Sequence, residues 1–176
     1  MDRLLASAIR TIPNFPKRGI LFRDITTLLK DPVAFRSAVD QLTALCAGRG
    51  ITKVVSIESR GFILGAPIAC NLRAGFVPVR KPGKLPAPVI RESYALEYGT
   101  DTLEMHQDAI SPGDRVIVVD DLLATGGTAG AACTLIERLG GSIVACAFLI
   151  ELSFLQARKR LDKYEIVSLV DYAGEE

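Results

Sequence analysis

The chain has one histidine, His106, and four scattered cysteines, Cys46, Cys70, Cys133 and Cys146, with no Cys-x-x-Cys pair. That scarcity excludes a structural zinc site, which needs several clustered nitrogen or sulfur ligands. The thiols stand among small or apolar neighbours and are expected to be free and buried. His106 lies on an alternating segment and reads as a packing or surface residue, with no catalytic role. No apolar run approaches the ~18 residues of a membrane span. The first 14 residues carry Arg3 and Arg10 within their apolar pattern, so they read as a short amphipathic helix rather than a signal peptide. A cytoplasmic protein without a membrane partner is expected. The net charge of +1 argues against nucleic acid, whose binders carry a basic face. Also missing are internal repeats, low-complexity tracts, a Gly-Lys-Ser/Thr phosphate loop and a Gly-x-Gly-x-x-Gly fingerprint, which weakens nucleoside triphosphate and dinucleotide readings.

What is present fits one globular domain over residues 1–176, with 49% hydrophobic and 23% charged residues. Residues 53–57 form a β-branched run, 62–72 have helical spacing, and 76–80 form a second short strand, which makes a βαβ unit. Strand 115–119, helix 129–139, the stop Gly140-Gly141 and strand 142–149 make another. Two such units predict a doubly wound, mainly parallel α/β sheet flanked by helices. Residues 81–114 are broken by proline and glycine around strands 89–98 and 102–106, and read as a flexible hairpin lid, too polar for core. Residues 1–50 supply helices at 4–11 and 32–47, with an aperiodic stretch between them.

The most informative segment is the apolar strand that ends in Asp120 and Asp121 and passes into Ala124-Thr125-Gly126-Gly127-Thr128. Ligand sites in parallel sheets lie at the strands' carboxyl ends. The small loop offers backbone N–H groups and two hydroxyls, and it opens a helix whose dipole favours an anion, so it is a phosphate cradle. Asp120 and Asp121, taken as ionised, accept hydrogen bonds only, which suits the cis hydroxyls of a ribose or a cation. At the end of the first core strand, Glu58-Ser59-Arg60-Gly61 puts an arginine where it can fork onto an oxyanion. Arg80, Lys81 and Lys84 place three cations at the root of the lid.

The run Asp120–Thr128 resembles the phosphoribosyl-pyrophosphate loop of the type I phosphoribosyltransferases, in the form of the adenine-specific members. Lys81-Pro82-Gly83-Lys84-Leu85-Pro86, Ser93-Tyr94-Ala95-Leu96-Glu97-Tyr98-Gly99 and Phe22-Arg23-Asp24-Ile25 are similar to further motifs of that branch, and the likeness spans residues 8–172. The resemblance implies transfer of phosphoribosyl from 5-phosphoribosyl 1-pyrophosphate to N9 of adenine, giving AMP and pyrophosphate. Mg²⁺ would be bound chiefly by the substrate rather than directly by side chains. It implies that Asp120, Asp121 and Ala124–Thr128 hold ribose and 5-phosphate, that Ser59, Arg60, Lys81 and Lys84 receive pyrophosphate, and that the Glu58–Ser59 peptide is cis. Phe22 and Leu122 would flank the base, with the backbone of Leu21 and Arg23 matching adenine N1 and N6. Glu97 would manage the purine proton, with Arg60 as the other catalytic residue, and Tyr98 would help close the lid. A homodimer is implied, with Arg80 as the residue that would cross to the partner. Two alternatives stay open: an enzyme for another purine such as xanthine, and a phosphoribosyl-pyrophosphate-sensing regulator on the same core.

Overall fold

The computed structural model describes residues 3–95 and 99–174. Five strands, β3 (Lys53–Ile57), β4 (Gly75–Val79), β7 (Arg115–Leu123), β8 (Ser142–Leu152) and β9 (Ile166–Tyr172), form one sheet in the order β4-β3-β7-β8-β9. Every neighbouring pair is parallel. Val54, Val55, Val116, Ile117, Val118 and Val119 are fully buried, because the sheet is covered on both faces and so tolerates no polar alternation. On one face pack α3 (Pro32–Cys46) and α4 (Arg60–Leu72), with Leu42, Leu64 and Ile68 in the core. On the other lies α5 (Gly127–Arg138), packed with the antiparallel hairpin β5 (Val89–Ala95) and β6 (Thr100–His106). Asp31 caps α3 by accepting from the N–H groups of Val33 and Ala34, with Pro32 in the first turn.

The chain leaves β3 for β4 on one side and resumes at β7 on the other, so strand order reverses between β3 and β7. A crevice opens at such a reversal, beyond the carboxyl ends of the two strands. The turn after β3 carries Glu58 and Ser59 into Arg60 at the start of α4, and the loop after β7 carries Ala124–Gly126, so that Arg60 and that loop line one cavity.

Several expectations are corrected. The helix read at 4–11 is α1 (Arg3–Ala8), and the chain then turns into β1 (Arg10–Pro13), which pairs with β2 (Leu21–Asp24). Thr11 and Ile12 are β-branched, and Arg10 is tied to Asp24 across the pair, so pairing overrides the short apolar period. The aperiodic stretch is therefore partly strand. β7 does not stop at the aspartates, because Asp120, Leu122 and Leu123 stay in register with Phe148, Ile150 and Glu151 of β8. Residues 81–114 are not all outside the core: Tyr94, Leu103, Met105 and Ile110 are buried in the same cluster as the inner face of α5. Cys70 is exposed, unlike the other three thiols, and Cys133 and Cys146 meet at 3.6 Å between α5 and β8. Strand β9, α2 (Thr26–Leu29), α6 (Ala157–Arg160) and the 3-10 turn Ser153–Leu155 were not anticipated.

Candidate active site

A cavity of about 190 Å³ lies at the reversal, lined by Arg60, Asp120 and Asp121 and by every residue from Leu122 to Ala129. Gly126 stands at the N-cap of α5 with φ +80, a left-handed conformation that suits glycine. Gly127, Thr128 and Ala129, in the first turn of α5 where N–H groups lack helical partners, line the cavity, which is what an anion site requires. Thr125 is exposed and Thr128 half-buried, and both line the cavity.

Asp121 is 3% exposed, and its Oδ2 lies 2.9 Å from Arg60 Nε. The pair is close, yet among the described residues no N–H or O–H is aimed well enough at Oδ2 to hydrogen-bond it. Burial and the neighbouring Asp121 charge push the Asp120 carboxyl well above the usual range. Burial raises Asp121 as well, with Arg60 opposing. Set side by side at the end of a covered sheet, the two carboxyls are both shifted toward the protonated form, which a cation or hydroxyl donors would oppose.

On the facing loop the Glu58–Ser59 peptide is cis, as the resemblance implied, and Ser59 is the exposed N-cap of α4. Arg60 follows at the first position of α4, and Gly61 lets the helix approach β7 closely. Arg80 and Lys84 converge on the Glu58 carboxylate, and Lys81 pairs with Asp101 and lies 3.3 Å from the Tyr94 hydroxyl. Burial works to raise the Glu58 carboxyl, but Lys84, Arg80 and the Lys81 N–H outweigh it and hold it below its usual value. Lys81, despite burial, is raised by Asp101 and Tyr94.

Around the base segment, Phe22 stacks edge-on against Phe15 at 5.1 Å and lies under the Arg60 guanidinium at 5.5 Å. Arg60 thus links Phe22 to the Asp121–Leu122 corner. Leu21 and Arg23 alternate along β2, so their backbone groups turn to the same edge of the strand. The Arg23 side chain is buried, donates to Thr11 Oγ1 at 2.6 Å and lies 3.8 Å above the Tyr172 ring. Beside it is an apolar cavity of about 350 Å³, lined by Leu21 and Arg23 and by Leu152, Phe154 and Leu155. Sequence reasoning missed these last three and Tyr172. Position at or just after the carboxyl end of β8, the edge already assigned to the ligand, was the available signal for Leu152, Phe154 and Leu155, whereas Tyr172 ends β9, a strand the sequence reading did not contain. Glu97 and Tyr98 lie outside the described residues.

The family model described as the phosphoribosyl transferase domain matches residues 30–174. The adenine phosphoribosyltransferase of Synechococcus sp. is 60% identical over 168 residues, which cover 96% of this chain and 98% of that protein. The crystal structure of the adenine phosphoribosyltransferase of Thermoanaerobacter pseudethanolicus is similar with a TM-score of 0.93 and 52% identity, over 96% of this chain and 98% of that one. The Saccharomyces cerevisiae enzyme, in complex with adenine and an imino-altritol bisphosphate, gives a TM-score of 0.88 at 40% identity, over 93% and 95% of the two chains.

Proposed function

This chain belongs to the phosphoribosyltransferase family, in its adenine-specific branch, and from that premise we propose how its own residues divide the reaction. The enzyme transfers 5-phosphoribosyl from 5-phosphoribosyl 1-pyrophosphate to N9 of adenine, releasing pyrophosphate and AMP, on the type I phosphoribosyltransferase fold. In the proposed division, residues 1–176 act as one catalytic domain, with 1–50 carrying the base end and 81–114 a lid. Ala124, Thr125, Gly126, Gly127 and Thr128 hold the 5-phosphate at the start of α5. Asp120 and Asp121 accept from the ribose hydroxyls. Ser59, Arg60, Lys81 and Lys84 receive the pyrophosphate, where their charge offsets what builds up on the leaving group.

Adenine lies between Phe22 and Leu122, read by the backbone of Leu21 and Arg23. A 6-oxopurine would mismatch both of these backbone groups, at roughly 1–3 kcal/mol for each one left buried and unpaired. Glu97 takes the imidazole proton as N9 attacks C1, and Tyr98 helps exclude water. The donor set also fits Mg²⁺: Asp121 Oδ2 is buried without a hydrogen bond, beside a second carboxyl, Asp120, whose charged form would be favoured by a cation. Asp120 and Asp121 would hold the ion through the ribose oxygens, and when bound it supplies charge neutralisation at the pyrophosphate. Catalysis by these residues is then mainly positioning and charge compensation.

A homodimer is part of this reading. Ile63 and Phe76, 41% and 37% exposed beside the free edge of the sheet, offer an apolar face for it. Arg80 is committed to Glu58 within the chain, so crossing to a partner would require it to leave that carboxylate. A cytoplasmic setting accords with the four free thiols. No helix among the described residues is long and apolar enough to cross a membrane.

The observation that carries the assignment is the facing of Arg60 and the Asp120–Thr128 loop across one cavity, with Phe22 in contact range of Arg60. A panel of radiolabelled bases with 5-phosphoribosyl 1-pyrophosphate tests it. Adenine should yield AMP, with xanthine and hypoxanthine turned over at least ~100-fold less efficiently. Equal use of xanthine would overturn the base assignment. Absence of turnover with every base, together with salt-sensitive nucleic-acid binding, would favour a regulator instead.

A further inference from the structure

Glu58 is not among the residues assigned to pyrophosphate, yet two cations of that corner, Arg80 and Lys84, meet on its carboxylate. Its side chain is only 8% exposed. Oε2 accepts from Arg80 Nε at 2.7 Å and from the Lys81 N–H at 3.2 Å, while Oε1 pairs with Lys84 Nζ. Arg80 also donates to the Lys84 carbonyl at 3.3 Å, closing the loop after β4 on itself. The two side chains differ in freedom: Lys84 is 48% exposed against 35% for Arg80, and Arg80 has the second bond. Lys84 can leave Glu58 without unfolding the loop, and Arg80 cannot leave as easily.

We propose that Glu58 is an internal counter-anion of the pyrophosphate site, which keeps Arg80 and Lys84 in place between turnovers and competes with pyrophosphate for Lys84. The inference rests on the reading in which Lys84 receives pyrophosphate. One carboxylate against two cations leaves this corner net positive, so it still attracts a polyanion. The same carboxylate lowers the charge that would retain the product. Lys81 is arranged alike, paired with Asp101 of the hairpin, so each lysine assigned to pyrophosphate has its own carboxylate in the chain. A rack of cations with nothing to hold it would have to be ordered at each binding event, at a cost in side-chain entropy. Glu58 supplies that order and is displaced from one cation only.

The test is product inhibition by pyrophosphate at fixed Mg²⁺, in Glu58→Gln, Lys84→Met and the double variant. Glutamine keeps the shape and still accepts from Arg80 and the Lys81 N–H, but it loses the charge. Glu58→Gln should lower the pyrophosphate inhibition constant about fivefold, the scale of one partly exposed ion pair. Lys84→Met should raise it, and in the Lys84→Met background the effect of Glu58→Gln should shrink below about twofold. If Lys84→Met weakens pyrophosphate while folded Glu58→Gln leaves its inhibition constant unchanged or higher, the competition is refuted and the site assignment stands. If Lys84→Met has no effect, the placement of Lys84 at pyrophosphate fails, and the inference with it. Should Glu58→Gln not fold, Glu58→Asp retracts the charge from Lys84 by one methylene and should tighten pyrophosphate about twofold; no tightening refutes the inference.

Discussion

Gly61 offers a direct test of how closely α4 must approach the aspartate strand. A Cβ at this position would lie 2.8 Å from Asp120 Oδ1, 3.0 Å from the Val119 carbonyl oxygen and 3.3 Å from Asp120 Cα. The carboxylate can rotate away. The backbone cannot, because β7 is a central strand paired on both sides. In Gly61→Ala the start of α4 must therefore lift by a few tenths of an ångström, and overpacking of this kind costs about 1–3 kcal/mol. At roughly 2–4 °C per kcal/mol for a chain of this size, Tm should fall by about 2–12 °C. Arg60 is the adjacent residue, so the lift also moves its guanidinium relative to Asp121. Misplacement of ~1 Å can cost ~100-fold in rate, and the smaller shift here should cost kcat/KM about tenfold.

Gly130 is the control, because a Cβ there meets only Leu161 Cδ2 at 3.6 Å, an ordinary contact. It lies within α5, where alanine is better than glycine by roughly 0.5–1 kcal/mol. Gly130→Ala should raise Tm by about 1–4 °C and leave kcat/KM unchanged. Calorimetry and steady-state assays of both variants decide the matter. A Gly61→Ala enzyme within a degree and within twofold of the parent, or a matching loss in Gly130→Ala, would refute the close-approach argument.

Asp120→Asn should stabilise the fold and disable it together. Because the folded carboxyl binds its proton more tightly than the unfolded one, the parent loses stability as pH rises from the ordinary carboxylate range through the raised folded value. The asparagine variant escapes that loss, so its Tm should match the parent near pH 4 and exceed it at pH 8 by the equivalent of about 0.5–2 kcal/mol, with kcat/KM down at least ~100-fold. A lower Tm at pH 8 would count against the buried-pair argument. Glu97→Ala should reduce kcat by about 100-fold or more while leaving 5-phosphoribosyl 1-pyrophosphate binding within about twofold. Calorimetric titration checks this, and a large loss of that binding would remove the proton role.

Much of the framework was legible because burial on both faces of a parallel sheet leaves a plain signature. The run at 53–57 is strand β3 with the same bounds, and the small-residue loop after the aspartates does open α5. The N-terminal segment misled because six residues of helix and four of strand are too short for either period to show. β9 carried an apolar run that was passed over, since its half-buried pattern only makes sense beside β8.

For the site, the chain alone determined chemistry that follows from local order: a glycine turn before a helix, paired carboxylates following an apolar strand run, cations spaced through a short loop. Those properties depend on neighbours in sequence. Tertiary structure decided which groups face one another and what water reaches them. Burial beside Asp121 raises the Asp120 carboxyl, and Phe22 meets Arg60 across the reversal of the sheet. Glu58 gathers Arg80 and Lys84 from 22 and 26 residues away. Charge and hydrogen-bonding capacity are written in residue types, whereas desolvation and pairing arise only when distant segments share a volume.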